Sequence, residues 1–325
     1  MKVVIAGIGF SVAVFALTGC GGPPQASEEA PAAIPTVGPA SEIRVADVGF
    51  ATPESVLHDP AADVYLVSNI NGSPSAVDGN GFISRVSPDG TVTELKWIDG
   101  GVDGVTLDAP KGMAVIGDTL YVADISFVRF FDRATGAPKG DIEIPGATFV
   151  NDLAAGRDGW LMVSDTGVVF GDSGAEDTGS AAVYVISPEG ALTQIASGER
   201  LDRPNGVLGS MAHDAIVVAP FGGDTVYALD NDGQRVDLAA LPSGGLDGIV
   251  ETSDGRLLVT SWGGGAVFSV DMSGDVETFA SGLPAPADLG YDGVRDRIMV
   301  PLFNDNAVVI MPARSDSASP GSGVR

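Results

Sequence analysis

A polar position set just ahead of an apolar stretch returns six times along the chain. The copies read Pro53-Glu54-Ser55-Val56, Pro110-Lys111-Gly112-Met113, Val150-Asn151-Asp152-Leu153, Pro204-Asn205-Gly206-Val207, Leu246-Asp247-Gly248-Ile249 and Ala287-Asp288-Leu289. A short turn and an apolar run ending on a small or polar residue follow most of them: Leu66-Val67-Ser68-Asn69, Tyr121-Val122-Ala123-Asp124, Met162-Val163-Ser164-Asp165 and Val217-Val218-Ala219-Pro220. The varying positions are Glu54, Lys111, Asn151, Asn205, Asp247 and the apolar Ala287, which lie 57, 40, 54, 42 and 40 residues apart. That is the period of four-stranded propeller blades. The pattern predicts an all-β, six-bladed β-propeller, each blade running inner strand, turn, second strand, loop, third strand, hairpin, outer strand. Ser87-Pro88-Asp89-Gly90, Ser187-Pro188-Glu189-Gly190, Asp230-Asn231-Asp232-Gly233 and Met272-Ser273-Gly274-Asp275 supply the hairpin turns.

The two ends complement each other. Residues 42–49 alternate as one spare strand, and strand-like runs near Leu289, Ile298 to Pro301 and Ala307 to Met311 lack a fourth. Residues 42–49 are therefore expected to pair with 307–311, closing the sixth blade and removing exposed edges. The propeller spans 42–313. The Pro/Ala/Gly/Ser/Glu stretch 20–41 reads as a tether and 314–325 as a tail, since neither can bury a core. The long connections, Asn69 to Gly81, Lys96 to Ala109 and Asp165 to Ser180, all follow second or outer strands. One face is thus trimmed and the other elaborated, with the ring positions opening onto the axis of the elaborated face as the floor of a funnel.

Composition narrows the partners. With 45 Gly and 21 Pro there is little room for long helices, and a net charge of −26 repels nucleic acid and anionic membrane surfaces. It favours cations, though an acidic surface also keeps a chain soluble. The single cysteine, Cys20, allows no disulfide within the chain. Met1-Lys2 and the apolar Val3 to Gly19 read as an export signal, and Leu17-Thr18-Gly19-Cys20 resembles the lipobox of bacterial lipoproteins. The resemblance implies a signal peptide over 1–19, lipidation of Cys20, and anchoring at the cell envelope. With Gly21 after the Cys, the expected address is the outer membrane, facing the periplasm. Membrane contact is expected through Cys20 alone, and a monomer is expected.

Glu54, Asn151, Asn205 and Asp247 would each point an oxygen at the axis from a different blade. Two carboxylates and two carboxamides form a hard-oxygen set suited to Ca2+, or to another divalent cation such as Mg2+ or Mn2+, and to neither zinc nor copper. The alternative is a polar channel whose side chains bond one another and trapped water. Lys111 either reaches a carboxylate or substrate oxygen or leans outward. His58 and His213 are expected as surface residues in turns of the trimmed face. Gly100-Gly101 and Gly244-Gly245 precede no helix and read as turns, and Ser164-Asp165 has no histidine partner on its face.

Taken together, Pro53-Glu54, Phe149-Val150-Asn151-Asp152, Arg203-Pro204-Asn205-Gly206 and Leu246-Asp247-Gly248 resemble the metal-site motifs of the SMP-30/gluconolactonase/LRE-like group, related to the diisopropylfluorophosphatase and paraoxonase-type propellers. The likeness runs from about Glu42 to Ala313. It implies that Glu54, Asn205 and Asp247 bind a divalent cation, that Asn151 is a further ligand or a substrate contact, and that Asp247 is the catalytic general base. Sugar-lactonase members carry an arginine two residues before the Asn that matches Asn151; Phe149 stands there in this chain. Phe221, Trp262 and Phe303 each follow a ring position by about fifteen residues, and either stack a flat or apolar small-molecule substrate or cap the blades. The expected function is a calcium-dependent lactone or ester hydrolase; the alternative is a non-catalytic propeller that binds a ligand or protein.

Overall fold

The computed structural model describes residues 42–171 and 174–314; the export signal, Cys20, the tether and residues 315–325 of the tail lie outside the described residues. Six four-stranded antiparallel sheets account for nearly all of it. Their inner strands are Pro53–Asp59, Pro110–Ile116, Val150–Ala155, Pro204–Ser210, Leu246–Glu251 and Gly290–Asp292, and the second strands are Val64–Asn69, Thr119–Asp124, Leu161–Asp165, Ala215–Pro220, Leu257–Ser261 and Arg297–Leu302. We number the blades 1 to 6 in that order. Ile43–Val45 forms the outermost strand of blade 6, with Ile43 opposite Ile310 and Val45 opposite Val308. The ring is closed by the first strand on the last, as the sequence pattern predicts.

Burial follows the same geometry. The apolar side chains form six clusters, each shared by two neighbouring blades; between blades 1 and 2, for example, Leu66, Ile83 and Ile98 meet Leu107, Met113 and Phe131. No blade has a core of its own, so each depends on both neighbours.

Several boundaries differ from the sequence pattern. The outer strand of blade 1 runs Val92–Asp99, so Lys96 belongs to it rather than to the loop beyond. The tight turn of blade 5 starts at Asp271, whose carboxylate accepts the backbone N–H groups of Ser273 and Asp275. The insertion after Asp165 folds into a hairpin of its own, Val168–Gly171 against Gly174–Asp177. His58 is no surface turn residue. It lies inside the first inner strand with a side chain only 5% exposed, between Asp63 and Asp292 and edge-on to Tyr65. His213 is half-buried, with Nδ1 3.0 Å from Ser210 Oγ.

In blades 1 to 5 the pairing of inner and second strand slips at the ring position, between Pro53 and Ser55, Pro110 and Met113, Val150 and Leu153, Pro204 and Gly206, and Leu246 and Ile249. Such bulges re-aim side chains and leave a backbone N–H without a ladder partner. The polar residue near the end of the second strand supplies one. Ser55 N donates to Ser68 Oγ at 2.9 Å, Asp152 N to Ser164 Oγ at 3.0 Å, and Gly248 N to Thr260 Oγ1 at 2.8 Å. The next residue pins the loop leading into the ring: Asn69 Oδ1 accepts Ala51 N, Asp124 Oδ1 accepts Ala109 N, and Asp165 Oδ1 accepts Phe149 N. The recurrent small-polar ending of the apolar runs therefore holds the ring residues in place.

Candidate functional site

On the elaborated face the axis opens into a pocket of about 280 Å3. Glu54, Lys111, Asn151, Asn205 and Asp247 are on its lining, five blades contributing one residue each from the head of the inner strand. Above them stand residues that directly follow the second strands, among them Ile70, Thr166, Phe221, Trp262 and Phe303. The three aromatics form a continuous wall, with ring centroids of Phe221 and Trp262 5.7 Å apart and those of Trp262 and Phe303 5.3 Å apart. Phe149, with Phe170 of the inserted hairpin 5.4 Å away, also lines the pocket. Arg203 binds Asp177 through two hydrogen bonds of 2.7 and 2.9 Å and so ties that hairpin to blade 4.

At the floor, Glu54 Oε2, Asn151 Oδ1, Asn205 Oδ1 and Asp247 Oδ1 are buried and reach no hydrogen-bond partner. Leaving one polar atom unsatisfied costs about 1–3 kcal/mol, so four in one place call for an explanation. A hard cation is one, because all four are oxygen acceptors and two belong to carboxylates; the indole N–H of Trp262, a donor in the pocket wall, is also without a partner. Among the described residues no group of three or more His, Cys, Asp or Glu comes together as a metal site; the set here is half carboxamide. Burial, then the neighbouring Asp247 and Asp288 charges, pushes Glu54 well above the usual carboxylate range, and burial, then Asp288, does the same to Asp247.

Lys111 leans inward. It is fully buried, its Nζ donates to Ala109 O at 2.9 Å and lies 4.3 Å from the centre of the Phe149 ring. Burial lowers its pKa to about 8, with Glu54 opposing the shift.

Asp152 and Asp288 bring two further carboxyl groups toward the axis, beyond the ring positions read from the repeat. The repeat puts the apolar Ala287 in the ring register of blade 6, whereas the neighbouring Asp288 bears the carboxyl group: it accepts a short hydrogen bond from Ser55 Oγ, and burial raises its pKa to about 7. Asp152 accepts Leu153 N and, across the blade interface, Val207 N. Both line a second cavity, about 420 Å3, on the trimmed face. Room for them comes from glycine: a Cβ on Gly112 would lie 2.3 Å from Asp152 Oδ1, and one on Gly248 2.5 Å from Asp288 Oδ1. The available signal was the repeated phrase itself, in which both aspartates directly follow the ring position.

No protein-family model and no curated protein matches the sequence. Solved structures do resemble it. A gluconolactonase from Xanthomonas campestris superposes with a TM-score of 0.66 at 22% identity, over 83% of this chain and 89% of its own. A second structure, described as a putative gluconolactonase, gives 0.62 at 16% identity, over 83% and 91%. A catalytically inactive histidine-to-alanine variant of virginiamycin B lyase from Staphylococcus aureus, with quinupristin, gives 0.55 at 14%, over 83% and 98%. At these identities the likeness is one of fold.

Proposed function

We propose that this chain is a divalent-cation-dependent hydrolase of lactones or esters with an apolar or aromatic substituent. The observation that carries the reading is the set of four unpartnered oxygens at the base of an aromatic-walled pocket. The residues fit a cation such as Ca2+, held by Glu54, Asn151, Asn205 and Asp247; when bound, it supplies positive charge to polarise an ester carbonyl and steady an oxyanion. Asp247, the buried carboxylate that the motif resemblance marks as general base, would take the proton of the attacking water. Lys111 Nζ, already donating to Ala109 O, has further N–H groups for a substrate oxygen. Phe221, Trp262 and Phe303 bury the substituent, and Phe149 stands where an arginine would meet sugar hydroxyls.

Gluconolactonases and virginiamycin B lyase both share the fold likeness, so the choice between hydrolase and lyase chemistry rests on the pocket's own residues. Both histidines lie toward the trimmed face, away from the pocket, so no imidazole is available there. We further place the protein at the cell envelope through lipid on Cys20, facing the periplasm; Cys20→Ser is expected to release it into the soluble fraction.

The test is turnover of aliphatic and aromatic lactones, aryl esters, a sugar lactone and a phosphotriester, with and without Ca2+, beside Asp247→Asn. Ca2+-dependent hydrolysis of the apolar lactones or esters, lost in Asp247→Asn, is the expected result. No turnover of any class, with a specific ligand or protein recovered instead, supports the non-catalytic binding propeller.

A further inference from the structure

The position directly after the second strand is occupied in the six blades by Ile70, Ile125, Thr166, Phe221, Trp262 and Phe303. Thr166 alone carries a hydroxyl. It is 3% exposed, and its Oγ1 accepts from Asn151 Nδ2 at 3.0 Å and donates to Pro204 O at 2.9 Å. The second contact decides the first. A proline carbonyl can only accept, so the hydroxyl must point its single proton at Pro204 and can then only accept from Asn151. That commits the amide nitrogen of Asn151 to Thr166 and leaves Oδ1 as the end without a partner. The same hydroxyl ties blade 3 to the residue just before Asn205 on blade 4.

We propose that Thr166 is a positioning residue that sets which end of the Asn151 carboxamide is presented to the cation, and through it the cation affinity of the ring. The inference rests on the cation reading above. Without the hydroxyl, the carboxamide loses the contact that distinguishes its two ends and can turn its N–H2 toward the cation, which repels it.

The test is Ca2+ affinity of the purified chain, read by competition with a fluorescent chelator. Thr166→Val is expected to weaken binding by roughly tenfold or more, the range for lost outer partners of metal ligands, and Thr166→Ser to restore it. An aspartate at 151 has no wrong end. In an Asn151→Asp background, adding Thr166→Val should therefore change affinity by no more than about twofold, a non-additivity that marks the two residues as coupled. Equal affinity of wild type and Thr166→Val overturns the proposal. So does an equal loss in both backgrounds, which would make Thr166 a support of the fold only. A wild-type chain that binds no Ca2+ overturns the cation reading itself, and this inference with it.

Discussion

Glu54, Asp152, Asp247 and Asp288 sit within one another's field, and burial is the first cause of the raised pKa of each. A carboxyl whose native pKa exceeds its unfolded value keeps its proton after the unfolded chain has released it. Stability then falls as pH climbs between the two values; for Asp288 the window runs from 3.8 to about 7. Asp59 and Asp292 do not oppose this trend. Burial would raise both, but their hydrogen bonds, to Arg133 for Asp59 and to Tyr65 and Arg295 for Asp292, hold them below the usual range, so their contribution is complete before that window opens. Chelated protein is expected to melt at a lower temperature at about pH 7.5 than at about pH 5, a range below the value of about 8 to which burial lowers the Lys111 pKa, and Asp288→Asn to flatten the difference. Circular-dichroism melts decide it, and a rise in stability over that range contradicts it. The ring carboxylates and carboxamides are legible in sequence because a polar residue heading an apolar strand has no reason in solvation to be there. Asp152 and Asp288 are not, because strand alternation turns the residue after an axial one away from the axis. A bulge reverses this at Asp152, and only the recurrence of the phrase from blade to blade marks the position.

At the level of elements, closure and bulge support can be tested separately. The closing segment buries Val45 and Phe50, each worth about 1.5–3 kcal/mol on full burial, while the exposed Arg44–Asp305 pair adds little. Removing residues 21–41 should leave the melting temperature unchanged, and removing 21–50 should lower it and expose an edge that aggregates. Equal melting of the two truncations contradicts the closure. Ser164 accepts Asp152 N and donates to Asn205 O; Ser164→Ala is expected to destabilise by about 1–3 kcal/mol, the cost of a buried group left unpaired, measured by urea unfolding. Closure is readable from the mismatch of three strands at one end and one at the other. The hairpin Val168–Gly171/Gly174–Asp177 is not, because its four residue pairs fall outside the blade rhythm in a stretch rich in Gly and Asp.

Across the whole molecule, six blades share their cores and five of them each place one ring residue in the pocket, so the position of any site oxygen is set by two blade interfaces rather than by its own strand. The net charge of −26 draws divalent cations to the surface without specificity, so a stabilising effect of Ca2+ is by itself weak evidence. Stoichiometry and residue dependence are stronger. The most direct measurement is calorimetric titration of Ca2+ into the chelator-treated chain, beside Glu54→Gln and Asp247→Asn. A single saturable site per chain, lost in both variants while their chelated forms melt no lower than wild type, is the predicted result. No saturable binding at millimolar Ca2+, or undiminished binding by the two variants, contradicts the assignment of the four axial oxygens as a cation site.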